Sequence, residues 1–166
     1  MIVSRVEKEL STLSDARVLD HIRSLLVDPE PVSRPWDYGE PGERIECWSV
    51  LDHPASKSGV AYCEQGFGPE NPWGLVAIDR ADESMSLGMD SGWFPSFLEA
   101  YFESFASADI PIWRVFRRTD EPYPGLPISD ELSWDLAWER VRALRKDDTV
   151  AQYTCHHAIS YGRGET

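Results

Sequence analysis

Apolar residues recur along the first part of the chain at helical spacing. Val3, Val6, Leu10 and Leu13 predict a helix over residues 2–12. Ser14 is placed to cap a second helix, whose apolar face is Val18, Leu19, Ile22, Leu25 and Leu26. Pro29 and Pro31 end it. The stretch DPEPVSRPWDYGEPGE, residues 28–43, then carries four prolines, two glycines and two aromatics. It predicts an ordered loop lying over the domain, anchored by Trp36 and Tyr38.

The period changes after that loop. Three strand-like runs follow, at 44–53, 59–66 and 73–79. In the first, Ile45, Cys47, Ser49 and Leu51 share one face, while Trp48 and Val50 lie on the other. The connector PASKSG suits a hairpin, and neither sheet face is strongly polar, which predicts a sheet covered on both sides. Phe94, Phe97, Leu98, Tyr101, Phe102 and Phe105 form one helical stripe, with Ser96 and Glu99 at capping-box spacing and Pro95 at the helix entry. A strand over 110–118, a proline-rich loop and a helix over 132–145 follow, the last with Trp134, Trp138, Val141 and Leu144 on its inner face. TVAQYTCHHAIS, residues 149–160, reads as a closing strand.

The resulting order, α-α-β-β-β-α-β-α-β, predicts a single α+β domain over residues 1–166. Its antiparallel sheet has a central meander of three strands plus one or two more, packed by about four helices. No internal repeat is present.

Charge narrows the classes of partner. Sixteen basic residues against twenty-nine acidic ones leave a net charge of −13. Nucleic-acid binding rests on Lys and Arg neutralising phosphates, so neither a nucleic acid nor an anionic membrane is expected as a partner. A basic protein, by contrast, would be steered in. Seven Trp, six Tyr and six Phe supply buried area and also anchors for binding. The first residues, MIVSRVEKEL, lack the apolar core of a signal peptide, and no apolar run is long enough to span a bilayer. Cys47, Cys63 and Cys155 are odd in number and far apart, which predicts reduced thiols. These features together predict a soluble, cytoplasmic, bacterial-type protein.

The glycine-rich stretch CEQGFGPENPWGLVAID, residues 63–79, raises the question of a phosphate cradle. Such a cradle needs a helix N-terminus after its glycines and usually a lysine. Here Gly66, Gly68 and Gly74 lead into a strand, no lysine occurs in residues 58–145, and Glu64, Glu70 and Asp79 would repel phosphate. That chemistry is excluded. Two compatible readings remain: a hairpin loop with Trp73 packed on the sheet, or a rigid recognition loop presenting Phe67 or Trp73 with Glu70.

Other residues of reactive type form no complete signature. Cys155 and His157 share a strand face and His156 lies on the other, but no CxxC or HxxxH spacing completes a zinc site. Cys63 and Cys155 lack a local nucleophile motif. Ser91 lacks the GxSxG frame, because Met89 stands two positions before it. In MDSGWFP, Phe94 starts the helical stripe, while Trp93 can serve either the core or a surface. Arg114, Arg117 and Arg118 form the one basic cluster. Neither catalytic residues, a metal nor a cofactor are expected.

In size, acidity, aromatic content and α+β order, the chain resembles the small cytosolic immunity proteins that bacteria pair with polymorphic or contact-delivered toxins. The resemblance is one of general character and assigns no residue. It implies a non-enzymatic module that occludes a basic toxin. The residues themselves point to a partner-binding patch of Asp37, Glu40, Glu43, Glu64, Glu70, Asp82 and Glu83, anchored by Trp36, Tyr38, Phe67 and Trp73. Two alternatives stand beside it. One is a small-molecule-binding or hydrolytic domain with an aromatic-lined cleft near residues 63–76, where Cys63, Cys155, His157 or Glu64 converge. The other is a structural subunit with a broad apolar patch.

Overall fold

A computed structural model describes residues 1–36, 38–78, 92–119, 122–149 and 151–162. The fold is α+β. Among the described residues, four α-helices accompany an antiparallel sheet of five strands and a second of three. The chain divides into two compact units, one of Met1–Ser107 with the C-terminal residues from Tyr161, the other Ala108–Ser160.

In the first unit, α1 (Ile2–Leu10) buries Val6 and Leu10, and α2 (Ala16–Leu25) buries Val18 and Ile22. The cap of α2 is Asp15, one residue beyond the expected Ser14. Its carboxylate accepts from the backbone N–H groups of Arg17 at 2.9 Å and Val18 at 3.3 Å. The same carboxylate pairs with the Arg17 side chain, which fixes it at the helix start.

The segment after α2 departs from expectation. Residues Leu26–Pro35 form β1, an antiparallel edge strand running from Leu26 opposite Leu51 to Pro35 opposite Arg44. Among the described residues of this stretch, the loop begins only after Pro35. An edge strand leaves one row of N–H groups unpaired, so Pro29, Pro31 and Pro35 are tolerated there although they read as loop formers. The sheet continues through β2 (Arg44–His53), β3 (Ser58–Tyr62), β4 (Trp73–Ala77) and the short β5 (Trp93–Phe94), in sequence order.

A bulge in β2 corrects the expected face assignment. Val50 is the extra residue between the pairs Ser49–Ala61 and Leu51–Val60. Alternation therefore resets, and Leu51 shares the face of Val60 and Tyr62 instead of that of Ile45 and Cys47. Every residue of β3 is buried, as expected for a sheet covered on both sides.

One face of the sheet packs on α3 (Phe97–Glu103) through Trp73 and Phe97, whose ring centroids are 5.3 Å apart. Ser96 caps α3 by accepting from the Glu99 N–H at 3.1 Å. The Glu9 carboxylate accepts from the Leu98 N–H at 3.0 Å, tying α1 to the same helix start. Extended backbone at Ser104 ends the helix, so Phe105 leaves the predicted stripe and is 63% exposed. Phe102 stacks on Tyr161 with 5.0 Å between centroids.

In the second unit, β6 (Trp113–Arg117) is the centre of a sheet ordered β7 (Leu126–Pro127), β6, β8 (Tyr153–His157). Helix α4 (Trp134–Asp147) buries Ala137 and Val141. The predicted inner face is thus centred on this i, i+4 pair; Trp138 and Leu144 are half-buried and Trp134 is 39% exposed. Among the described residues, no helix is long and apolar enough to cross a membrane.

Candidate binding surface

Two loops of the first unit meet over the sheet face built from Ile45, Cys47, Ala61, Cys63, Val76 and Trp93. The first, after β1, is closed by the Trp36 N–H donating to the Glu43 carbonyl at 2.9 Å and the Glu43 N–H donating to the Glu40 carbonyl at 2.9 Å. The second is the glycine-rich connection between β3 and β4, closed by the Cys63 N–H donating to the Pro72 carbonyl at 2.8 Å. Gly68, at φ +82°, supplies its turn.

Aromatic side chains join the loops. Phe67 lies 4.9 Å from Tyr38, 5.3 Å from Trp36 and 5.6 Å from Trp93, ring centroid to ring centroid. Gly74 makes room for Trp93, since a Cβ there would stand 2.7 Å from its ring. The glycine-rich stretch is therefore a hairpin loop whose Phe67 covers the sheet. Tyr38 forms the outer edge of the cluster and is 41% exposed. Glu40, Glu43 and Glu70, on the same two loops, are exposed.

Of the residues singled out from sequence, Trp36, Tyr38, Phe67, Glu40, Glu43 and Glu70 belong to these two loops. Trp73 does not reach the surface: it is 2% exposed and packs between Tyr62 and Phe97. Asp37, Asp82, Glu83 and Ser91 lie outside the described residues. Trp93, left open by the sequence, is a core residue.

Glu64 goes to the other face, because strand alternation sends it with Tyr62 while Cys63 faces the aromatic cap. There Glu46, Trp48, Tyr62 and Glu64, with Ile2 and Val3 of α1, line an open cleft of about 470 Å³. The Tyr62 hydroxyl donates to the Glu64 carboxylate. The Arg5 guanidinium sits 5.2 Å over the Tyr62 ring and 3.6 Å from Glu64. Burial and the hydrogen bond to Glu64 push the Tyr62 hydroxyl up to about 12.

A polar group unforeseen from sequence lies opposite Ile45 in the sheet. Arg34, 2% exposed, donates from Nη1 to the Ala77 carbonyl at 2.7 Å and from Nη2 to Ser49 Oγ at 3.4 Å, while its Nε has no hydrogen-bond partner among the described residues. Cys47 and Cys63, both buried and not disulfide-bonded, lie on the same face. The Cys63 thiol donates to the Glu46 carbonyl at 3.3 Å. Interaction with the Cys47 thiol, helped by the Gln65 and Gly66 N–H groups, lowers Cys63 to about 7, while the same interaction and burial hold Cys47 well above the usual thiol range. A meander register pairing residues 48 and 62 was the signal that could have found this pair, since 47 and 63 are the next residues beyond it.

The reactive residues of the second unit do not assemble into a centre. Cys155 and His157 are buried on one face of β8 and His156 is half-buried on the other, as alternation predicts. Burial pushes Cys155 up to about 11; burial and the adjacent His156 hold His157 down at about 4. Among the described residues, no group of three or more His, Cys, Asp or Glu could hold a metal ion.

In comparisons with known proteins, the chain matches no family, no curated protein and no solved structure.

Proposed function

We propose that this chain is a non-enzymatic, acidic protein-binding module that engages a basic protein, in the manner of a bacterial immunity protein occluding its toxin. The observation that carries this reading is the packing of Phe67 between Tyr38, Trp36 and Trp93. It holds two loops together so that Glu40, Glu43 and Glu70 accompany an exposed tyrosine edge. Loops held by proline, glycine and ring packing lose little entropy on binding, and tyrosine is an efficient anchor. A net charge of −13 adds long-range attraction for a cationic partner.

The test is affinity capture from the native lysate at low and high salt, with wild-type chain and with Glu40→Lys/Glu43→Lys/Glu70→Lys. A single basic protein captured by wild type, weakened by salt and lost from the triple variant, supports the reading. Equal capture by both chains removes this surface from the interaction.

A second reading is favoured by the cleft on the opposite face. Trp48 and Tyr62 flanked by Glu46 and Glu64 suit an organic cation with an apolar body, through cation–π and carboxylate contacts. Arg5 already makes both kinds of contact within the molecule. Titration with an arylalkyl amine, followed by tryptophan fluorescence in wild type and Trp48→Ala, separates this reading from the first.

A further inference from the structure

We propose that Cys47 and Cys63 form a dithiol oxidation site, which a small peroxide converts into an intramolecular cross-strand disulfide. The geometry comes from the sheet. The register between β2 and β3 ends at Trp48 opposite Tyr62, and Cys47 and Cys63 are the next residues beyond that pair, in one buried cluster. Directly opposed residues of an antiparallel pair have Cα atoms about 4.5 to 5.5 Å apart, inside the range a disulfide spans. The Cys63 thiol donates to the carbonyl of Glu46, the residue beside Cys47, at 3.3 Å.

Arg34 supplies the electrostatic reason for reactivity. A buried guanidinium is costly without a counter-charge. Among the described residues its hydrogen bonds go to a carbonyl and a hydroxyl, and its Nε has no partner. The ionisable groups among them that act on it are Cys47 and Asp52, and burial makes the Asp52 carboxyl harder to ionise. A single negative charge on the thiol pair meets that need. The Gln65 and Gly66 N–H groups favour that charge at Cys63, which leaves Cys47 as the thiol.

The roles follow. The Cys63 thiolate attacks one oxygen of hydrogen peroxide, the O–O bond breaks, and hydroxide leaves, giving a sulfenic acid at Cys63. The Cys47 sulfur then attacks the Cys63 sulfur and expels its hydroxyl, which departs as water with the Cys47 proton. Two sulfurs are oxidised by one peroxide, and the products are the disulfide, one water and one hydroxide. Cys63, 1% exposed, directly follows β3 at the start of the 63–72 loop, two residues before exposed Gln65, so opening of that loop start alone admits a molecule as small as peroxide.

The test treats folded wild-type protein and Cys155→Ser with hydrogen peroxide, blocks remaining thiols, and reads intact mass and peptide maps. The expected product is a monomer lighter by two hydrogens, containing a Cys47–Cys63 crosslink that dithiothreitol reverses. In Cys47→Ser, dimedone is expected to trap a sulfenic acid at Cys63. An unchanged folded chain, under peroxide that oxidises the denatured one, overturns the proposal. So does a folded wild type that ends as a Cys63 sulfinic acid or as intermolecular crosslinks.

Discussion

Phe67 meets Tyr38 edge-on, 4.9 Å between ring centroids, and through that contact the connection between β3 and β4 is fastened to the loop that follows β1. Neither loop contains a regular element of its own. Their order comes from rings seated on a shared sheet face, which makes the candidate surface dependent on a few side chains.

Phe67→Ala is expected to destabilise the protein by about 2 kcal/mol, below the cost of a fully buried phenylalanine because Phe67 is only half-buried. Capture of a basic partner should weaken together with it. Urea denaturation and the two-salt capture experiment check the two effects separately. A variant with unchanged stability would show that Phe67 does not hold the loops.

Gly74→Ala probes the floor of the cap. The added methyl would stand 2.7 Å from the Trp93 ring, so Trp93 must move. Overpacking of this kind costs about 1 to 3 kcal/mol. A shifted tryptophan emission and altered near-ultraviolet circular dichroism should accompany the loss, whereas Gly42→Ala, strained by its φ of +87°, should leave Trp93 undisturbed because an added Cβ there meets no side chain of the described residues within 4 Å.

Ser96→Ala removes the acceptor for the Glu99 N–H at the start of α3. The expected cost is about 1 kcal/mol, read as a lowered urea midpoint. Ser96→Asp should restore most of it, since a carboxylate also caps and sits favourably at a helix N-terminus.

The stability of the first unit should carry a pH signature from Glu9. Burial raises its carboxyl above the ordinary 4.5, opposed by the Leu98 and Phe97 N–H groups and reinforced by the neighbouring Glu99 carboxylate. The folded chain therefore holds this proton to higher pH than the unfolded chain does. Stability is lost as pH rises from about 4.5 through the raised value, and the contribution is complete below that window. Glu9→Gln keeps an acceptor for Leu98 but cannot titrate. Its stability should fall less across the same window, measured by urea denaturation at pH 4 to 7.

Much of the local structure was legible because its causes are local. The Ser96 cap and the aromatic spacing of α3 act within a few residues, and the strands β2, β3 and β4 are announced by apolar runs between turn residues. Pro29, Pro31 and Pro35 misdirect such reading, because whether a proline-bearing strand is tolerated depends on its being at an edge. The bulge at Val50 is likewise invisible in the apolar pattern, which runs straight through it. For the candidate site, composition picked out both loops, Trp36, Tyr38 and Phe67 among them. It could not separate Trp73, which the core claims, or Glu64, which alternation sends to the opposite face.

The sequence by itself determined the α+β class, the helices with their local caps, the acidic charge and the exclusion of a phosphate cradle. Each of these follows from residue type and short-range spacing. Only the tertiary structure decided that β1 is a strand, that Phe67 roofs the sheet, and that Arg34 is buried near Cys47. Those relations depend on strand register and sheet position, which bring together residues far apart in the chain and leave no mark in its local pattern.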